Sequence, residues 1–482
     1  MIGNYLLLRR VFQLTIPATM VGAVIFLFNG FFLSRMLIGH LTYQIFPLVP
    51  LLIFGLVQNP EGRGFSIKNE VLRVICCAWI FAYMIFAGAA NFIVPVIYAV
   101  FLVWLLATLM GKSDSKFLVR TAISGLLGII FCSVKLYPTI KFMSLFERDL
   151  YPLPGFDGFI AAVKNIFQTL FSIGAPNVSQ SIVNFPYPLG NYELNFQVTP
   201  VPLFLLLIFG FVCILRGKIK KTYFCDLKGK ITCGLLLVLC IAPVLINSHY
   251  PGWDGFLKEI PYIKNSSSLF RWIAVYIPLV CVASAISIDR IFNSNRTRMV
   301  AALVCIGSVI VINALQDRSD YFVPIYDPVN IMGAWNANVP NITHIGNLPG
   351  SEQQINYIQR NDVLVIGMSQ LICYEPVFGY DLEDFPENNL QTGSIVLETD
   401  GKLNVNNPAC MVYPEVNQCL PGDSFMLEDR QQVNLFASYK SHDFMLPVAQ
   451  DRLTYLSIFS LLLSILIVIS LLSVDLYKIF RN

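Results

Sequence analysis

Residues 74–110 read VICCAWIFAYMIFAGAANFIVPVIYAVFLVWLLATLM, a run of 37 residues without a charged side chain. As a single α-helix this run would be about 55 Å long, whereas the hydrocarbon core of a bilayer is ~30 Å thick. The small and polar cluster Gly88-Ala-Ala-Asn91, which is followed by Pro95, is typical of a tight turn. We therefore predict two membrane-spanning helices joined by a hairpin at one membrane face.

The whole chain has the composition of a multispanning membrane protein. Of its 482 residues, 55% are hydrophobic and 13% are charged, at a mean hydropathy of +0.63, whereas soluble domains are about 25% charged. The pattern predicts an all-α polytopic fold with about ten spans and a C-terminal β-rich exoplasmic domain inserted before the last helix. The predicted spans are 11–33, 38–57, 74–88, 92–110, 119–137, 198–216, 232–247, 269–287, 299–316 and 454–476.

The distribution of charge along the chain predicts its orientation. With the N-terminus inside, the inside segments hold 19 Lys and Arg residues and 6 Asp and Glu residues, and the outside segments hold 14 and 24. Basic residues favour the cytoplasmic side, so we expect both termini to be cytoplasmic. The net charge of +3 is too small to indicate a nucleic-acid binder.

Residues 317–453 form the longest predicted outside segment, between a helical domain at 1–316 and the final helix and tail at 454–482. This segment alternates short β-type runs with Pro, Gly and Asn breaks, which favours a β-rich domain. Within it Cys410 and Cys419 flank an eight-residue stretch. In an oxidising compartment we expect a disulfide between them; the alternative is two free buried thiols.

A further outside segment, 157–172, has the pattern of an amphipathic helix. Its apolar side chains fall at helical spacing, and polar side chains occupy the other side. Such a helix suits the outer membrane interface, or else it packs on the exoplasmic domain. The apolar residues are Phe159, Ile160, Val163, Ile166, Phe167, Leu170 and Phe171, and the polar residues are Lys164, Asn165, Gln168 and Thr169.

Polar residues that could perform chemistry collect at the predicted outer face, while the spans contain essentially no deep ionisable residue, which argues against an ion-coupled transporter. Cations there would bind a lipid-linked phosphate, aromatic rings would stack on its sugar, and a carboxylate would act as base. The alternative is that these residues have no binding role and only line the membrane interface, where Lys and Arg commonly extend their charged ends to water and Trp and Tyr form an aromatic belt. The residues concerned are Arg35, His40, Lys135, Lys141, Glu147, Arg148, Asp149, Tyr192, Glu193, His249, Trp253, Asp254, Lys258, Lys264 and Arg271.

Several short motifs resemble one bacterial family in the same serial order, over about residues 5–290. They resemble the YfhO-like group of the GT-C-type superfamily, which comprises polyprenyl-phosphate-dependent glycosyltransferases. The motifs are Leu6-Leu-Leu-Arg-Arg10, Phe28-Asn-Gly-Phe-Phe32, Arg35-Met-Leu-Ile-Gly-His40 with Pro47 and Pro50, Lys135-Leu-Tyr-Pro-Thr139, Asn191-Tyr-Glu-Leu194, and Glu259-Ile-Pro-Tyr-Ile263 with Arg271-Trp272.

The resemblance implies a protein that binds a polyprenyl-phosphate-linked sugar at the outer face of a bacterial inner membrane. Candidate substrate-binding residues are Arg35, His40, Arg148, His249, Lys264 and Arg271, and candidate catalytic carboxylates are Glu147, Asp149 and Glu193. Twelve cysteines include no CxxC pair and no Cys/His cluster at zinc spacing. No cofactor is therefore specified, and a divalent cation is left open.

The chain departs from the GT-C pattern at one important point. GT-C enzymes carry a catalytic Asp or Glu in their first exoplasmic loop, whereas the loop from Ser34 to Gly39 holds no carboxylate. Three explanations stay open: a small partner membrane protein supplies the missing segment, another carboxylate takes its role, or the protein is an inactive relative. A non-catalytic scaffold subunit is thus the main alternative to a glycosyltransferase, and a transporter or flippase is the third.

Overall fold

The computed structural model shows a predominantly helical membrane protein. It describes residues 1–57, 67–89, 92–143, 153–174, 182–183, 191–215, 227–264, 266, 268–316, 344–346, 368–370, 393–394 and 448–481. The chain divides into two compact units, one of Met1–Pro138, Arg148–Gln316 and Val448–Asn482, the other of Thr139–Glu147 and Asp317–Pro447.

Helices account for most of the described residues. The α-helices are α1 Ile2–Leu6, α2 Ile16–Leu27, α3 Gly30–Leu37, α4 Val49–Leu56, α5 Ile67–Phe86, α6 Ile93–Leu109, α7 Phe117–Phe131, α8 Ser133–Met143, α9 Gly158–Phe171, α10 Val201–Leu215, α11 Leu227–Ile246, α12 Trp253–Lys258, α13 Pro261–Lys264, α14 Tyr276–Ile291, α15 Asn295–Leu315 and α16 Ala449–Arg481. A π-helical turn covers Leu7–Val11, and 3₁₀ helices cover Leu41–Leu48, Asn191–Leu194 and Phe270–Val275.

Six helical segments within the described residues are long and apolar enough to cross a membrane. The bent pair α7 and α8, which meet at 76°, gives a seventh if it counts as one span. The shorter apolar helices are Leu41–Leu56, Ile93–Leu109, Gly158–Phe171 and Val201–Leu215. These helices fit the predicted membrane protein and give six candidate spans, but they do not confirm the predicted number of ten.

The charge-free run at 74–110 forms two helices, α5 and α6, with a turn between them as predicted. Gly88 adopts the left-handed conformation, at φ +80°. The amide of Gly88 donates to the Ile85 carbonyl and the amide of Ala89 donates to the Met84 carbonyl. This is the glycine-dependent Schellman ending of a helix, and it satisfies carbonyls that the helix itself leaves unpaired.

The centre of the first unit is the contact between α2 and α14, which are the most buried of the spans. A Cβ at Gly22 would lie 2.9 Å from the Cys281 carbonyl oxygen, so glycine permits a close approach of the two backbones. At one end of this pair the Thr15 hydroxyl donates to the Asp289 carboxylate at 2.6 Å. Peripheral helices such as α10, α11 and α15 instead expose large apolar side chains, as lipid-facing helices do.

The bend between α7 and α8 is held by α16. The hydroxyl of Ser457 donates to the Phe131 carbonyl, and the Gln450 amide donates to the Val134 carbonyl at 2.8 Å. In return the Ser133 hydroxyl donates to the Leu453 carbonyl at 3.1 Å. Since a helix break frees backbone polar groups that lipid cannot satisfy, these side chains explain how an apolar helix tolerates the bend.

Two small sheets are described. In the first, β1 Gly155–Asp157 pairs antiparallel with β2 Ile182–Val183 and parallel with β3 Ser248–His249. In the second, β4 His344–Gly346 lies between β5 Met368–Gln370 and β6 Gly393–Ser394. The second sheet falls in the predicted exoplasmic domain, but apart from residues 448–453 the rest of that domain, including Cys410 and Cys419, lies outside the described residues. A β-rich domain is therefore not confirmed.

Candidate functional site

Four of the predicted site residues meet at one end of the helices. We call Arg35, His40, Tyr43, Glu193 and Arg271 the Arg35 cluster. Arg35 lies in the last turn of α3, His40 directly precedes the 3₁₀ helix Leu41–Leu48 and Tyr43 lies within it. Glu193 and Arg271 come from the 3₁₀ helices Asn191–Leu194 and Phe270–Val275. Residues far apart in sequence are thus brought together by the packing of several helix ends.

Arg35 is positioned by a break between α2 and α3. The side chain of Asn29 caps α3 by accepting from the Phe32 amide at 3.0 Å. The Gly30 amide donates to the Gln197 carbonyl at 2.8 Å, and a Cβ on Gly30 would collide with the side chain of Asn195. The residues after Glu193 therefore lie directly against the start of α3.

Arg35 and Glu193 form a bidentate ion pair. Nη1 of Arg35 donates to Oε1 of Glu193 at 2.9 Å, and Nη2 donates to Oε2 at 2.8 Å. The Arg35 side chain is 0% exposed and that of Glu193 is 10% exposed. Parallel bonds of this kind fix both side chains and are among the strongest hydrogen bonds in proteins.

The guanidinium of Arg35 also lies over the Tyr43 ring, at 4.9 Å from the ring centre. Its Nη1 is 3.1 Å from Nδ1 of His40. A guanidinium has only donors, so Nδ1 accepts and the proton of neutral His40 is on Nε2. Arg35 is thus surrounded by groups that favour its positive charge.

Arg271 is the more accessible arginine of the cluster. Its Nη2 is 4.0 Å from Oε1 of Glu193, its side chain is 20% exposed, and its guanidinium lies 5.9 Å from the centre of the Tyr43 ring. The buried Nε of Arg271 has no hydrogen-bond partner among the described residues. Arg271 therefore retains hydrogen-bonding capacity, whereas the Arg35–Glu193 pair occupies both of the glutamate's oxygens.

Electrostatics leave the cluster with one positive charge in excess. Burial tends to raise the pKa of Glu193, but the hydrogen bonds and charge of Arg35, together with Arg271 and His40, hold this pKa below its usual value. Burial and then the charge of Arg35 lower the pKa of His40, although Glu193 opposes this. At neutral pH, two guanidinium groups thus face one carboxylate and a neutral imidazole.

Aromatic side chains flank Arg271. The rings of Tyr262 and Trp272 are 6.5 Å apart, and that of Trp272 meets Tyr98 edge-on at 5.5 Å. Burial raises the pKa of Tyr262, while the amide of Val94 and the charge of Arg271 oppose this rise. Sequence reasoning did not select Tyr43 or Tyr262, since an aromatic residue near a helix end resembles any member of an interfacial belt.

The other predicted site residues have different settings. His249 lies 3.5 Å from Asp254 through Nδ1, and the carbonyl of Lys264 accepts from Nζ of Lys258 at 2.9 Å. Glu147, Arg148 and Asp149 lie outside the described residues. In the part of the chain that the structure describes, no group of three or more His, Cys, Asp or Glu residues is arranged to hold a metal ion.

A second buried arginine marks the opposite end of the helices. Arg120, at the start of α7, donates from Nε to Glu70 at 3.0 Å and from Nη2 to Asp114 at 2.9 Å. Its Nη1 donates to the Leu56 carbonyl, which belongs to the last residue of α4. In this Arg120 cluster two carboxylates face the arginine, so it lacks the excess positive charge of the Arg35 cluster.

Comparison with known proteins gives no relative: no protein-family model, no curated protein and no solved structure matches the chain. The resemblance to GT-C-type proteins therefore stays a prediction from short motifs.

Proposed function

We propose that the protein binds the phosphate of a polyprenyl-phosphate-linked sugar at the Arg35 cluster, as a GT-C-like membrane glycosyltransferase or the larger part of a split one. The observation that carries this proposal is the convergence of Arg35, Glu193 and Arg271 at one end of the helices. A phosphate would neutralise the excess positive charge there. Arginine suits such a ligand because its donors match two phosphate oxygens.

The geometry divides the roles among these residues. Arg271 would contact the phosphate, since its side chain is 20% exposed whereas that of Arg35 is 0% exposed. Arg35 would act through Glu193, whose fixed carboxylate lies beside Arg271. A carboxylate with both oxygens bonded to arginine and a lowered pKa is a weak base, so the base role is better assigned to Glu147 or Asp149.

Ten spans remain our proposal for the topology. The six long apolar segments and the bent pair would be joined by three of the shorter helices, namely Leu41–Leu56, Ile93–Leu109 and Val201–Leu215. The first of these begins as a 3₁₀ helix, which rises about 2.0 Å per residue, so its 16 residues reach about 28 Å. Consistent with a crossing, its start lies in the Arg35 cluster and its last carbonyl is bound by Arg120.

The two clusters would then lie at opposite membrane faces. The excess of Lys and Arg in the segments on the Arg120 side assigns that side to the cytoplasm. The Arg35 cluster would accordingly face outward, in a bacterial inner membrane.

Binding of a short prenyl phosphate tests the phosphate site. We expect farnesyl phosphate to bind the purified protein in nanodiscs, and Arg271→Ala to weaken this binding about tenfold or more, since hydrogen bonds to charged groups contribute about 1.5–3 kcal/mol. Arg271→Lys keeps the positive charge but loses the paired guanidinium donors, so an intermediate affinity for farnesyl phosphate is expected. The measurement is titration calorimetry or native mass spectrometry.

Two controls make this experiment decisive. Farnesol has the same chain without the phosphate and should be insensitive to the Arg271 variants. Arg296→Ala removes an exposed arginine from the first turn of α15 and should leave the affinity for farnesyl phosphate unchanged. Equal affinity of Arg271→Ala and the unaltered protein would exclude the proposed site.

A scaffold without catalytic activity is the second candidate, and the complete mutual bonding of Arg35 and Glu193 favours it, because such a pair also serves to fix a fold. Alanine at Glu147 and Asp149 together separates the two functions, because it removes the candidate bases and leaves the Arg35–Glu193 pair intact. If cells keep the protein's function, the scaffold is favoured. If sugar transfer is lost while the protein still assembles in the membrane, the enzyme is favoured.

A further inference from the structure

Helix α9 presents its side chains in an unusual way. Its buried side includes the polar residues Asn165 and Thr169, of which Thr169 is 0% exposed, while Ile160 is 83% exposed. Val163 and Phe167 are also exposed and follow Ile160 at helical spacing. The predicted separation of an apolar side from a polar side is therefore incorrect for Asn165 and Thr169, which turn inward.

Both ends of α9 are tied to helix ends on the side of the Arg35 cluster. Before the helix, the Phe156 amide donates to the carbonyl of Asn247, which directly follows α11, at 2.8 Å. At its last turn, the Leu170 carbonyl accepts from the amide of Val198, three residues before α10, at 2.8 Å. The helix of 14 residues, about 21 Å long, therefore lies across these helix ends.

The turn after β3 extends the same surface. The Phe159 amide donates to the hydroxyl of Tyr250 at 2.7 Å, which ties the start of α9 to the segment that leads into α12. Tyr250 before α12, Phe256 within it and Ile260 after it are all exposed. The exposed apolar side chains of α9 and of residues 250–260 thus lie at the same end of the first unit.

We propose that α9 and residues 250–260 form an interfacial platform that inserts into the lipid leaflet on the side of the Arg35 cluster. Two observations identify lipid as the partner. The exposed apolar residues of α9 lie beside the exposed apolar surfaces of α10, a shorter apolar helix, and of α11, which is long and apolar enough to cross a membrane. In addition, Lys164 is exposed beside Val163 and Phe167. A lysine in such a setting would lay its stem along apolar surface and extend its ammonium to lipid phosphates.

This platform does not depend on the proposed sugar-phosphate site, because it requires only that the protein lie in a membrane. It would place the Arg35 cluster at the level of the lipid headgroups.

Photocrosslinking in the membrane tests the platform. The photoreactive residue p-benzoylphenylalanine replaces Ile160 or Phe167 in the full chain, which is reconstituted in vesicles of phosphatidylethanolamine and phosphatidylglycerol. After illumination, mass spectrometry identifies what each position has bonded to. We expect acyl-chain adducts at both positions, in yields within about threefold of that at Phe211, an exposed residue of α10.

A matched position lies in the same segment. Asp157 is exposed at the start of α9, and as a charged residue it should face water and give no acyl adduct. Adducts of Ile160 and Phe167 with protein peptides instead of lipid would show that a protein surface covers α9. The absence of lipid adducts at these two positions, while Phe211 gives them, would show that α9 faces water. Either result would overturn the proposal.

Discussion

At the scale of single residues, the sequence predicts that Arg35 and Glu193 are candidate site residues, but it does not predict that they pair. Each residue could be selected because a charge near an apolar helix is costly and needs a partner. Their pairing could not be predicted, because the two residues are 158 positions apart and several carboxylates were equally plausible partners of Arg35 from the sequence. Tyr43 was missed for a related reason: its role depends on the two guanidiniums placed beside its ring, not on its own neighbours in sequence.

The same pair yields a prediction about stability. Removing Glu193 leaves the guanidinium of Arg35, which is 0% exposed, without its counter-charge. We expect Glu193→Ala to destabilise the protein by about 3–5 kcal/mol, the usual result of breaking a buried ion pair. Replacing both members, as in Arg35→Leu with Glu193→Leu, leaves no buried charge and should cost less. Thermal unfolding in detergent at neutral pH would compare the variants.

The contradicting result is a double variant that is less stable than Glu193→Ala. The pair would then contribute more through its geometry than through charge compensation. Acidification gives a further check, since the pair's contribution is complete above the unfolded carboxyl pKa and is lost only as the pH falls through the lower folded pKa of Glu193.

At the scale of elements, local rules predicted well whatever depends on neighbours in sequence. The division of 74–110 into α5 and α6 needed only the thickness of a bilayer and a glycine able to adopt positive φ. The bend at 76° between α7 and α8 was not predicted, because the side chains that satisfy its carbonyls belong to α16, more than three hundred residues later. For α9, periodicity predicted a helix but not which of its sides would be buried.

Helix α11 offers a test of how a proline is tolerated. Pro243 lies inside α11 and has no amide hydrogen, so the carbonyl four residues earlier, at Leu239, loses its helical partner. The hydroxyl of Tyr98 donates to this carbonyl at 2.6 Å. We expect Tyr98→Phe to destabilise the protein by about 1–3 kcal/mol, and to do so much less when Pro243→Ala restores the amide.

The neighbouring tyrosine provides the control. The hydroxyl of Tyr276 donates to the Cys240 carbonyl at 2.6 Å, and the residue four positions after Cys240 is Val244, which has an amide of its own. Tyr276→Phe should therefore destabilise the protein less than Tyr98→Phe does, and its effect on stability should be the same with or without Pro243→Ala. Thermal unfolding of these variants forms a double-mutant cycle, and strict additivity of Tyr98→Phe and Pro243→Ala would contradict the explanation.

At the scale of the whole molecule, the two arginine clusters and the charge bias support the same arrangement. The sequence predicted the membrane class and a bias of basic residues toward one side, which are properties of composition. The number of spans is harder to predict, because Leu41–Leu56 and Val201–Leu215 are shorter than a usual span. Whether such segments cross depends on the helices around them and on local bilayer thickness.

Reporter fusions decide the proposed topology. With ten spans and both termini inside, green fluorescent protein joined after Asn482 should fluoresce in a bacterial host, and alkaline phosphatase joined there should be inactive. A fusion after Gln316, which follows α15, should give the opposite result, since nine spans precede it.

A fusion after Met110 tests the shorter helices Leu41–Leu56 and Ile93–Leu109. In the proposed topology four spans precede this site and place it inside. The site after Met110 has the same location whether both of these helices cross or neither does, so a further fusion after Gly88 is needed. An active phosphatase after Gly88 places that site outside. Together with a fluorescent fusion after Met110, it requires Ile93–Leu109 to cross. An inactive phosphatase after Gly88 would refute the proposed arrangement, because Leu41–Leu56 would then not cross the membrane or the whole orientation would be reversed.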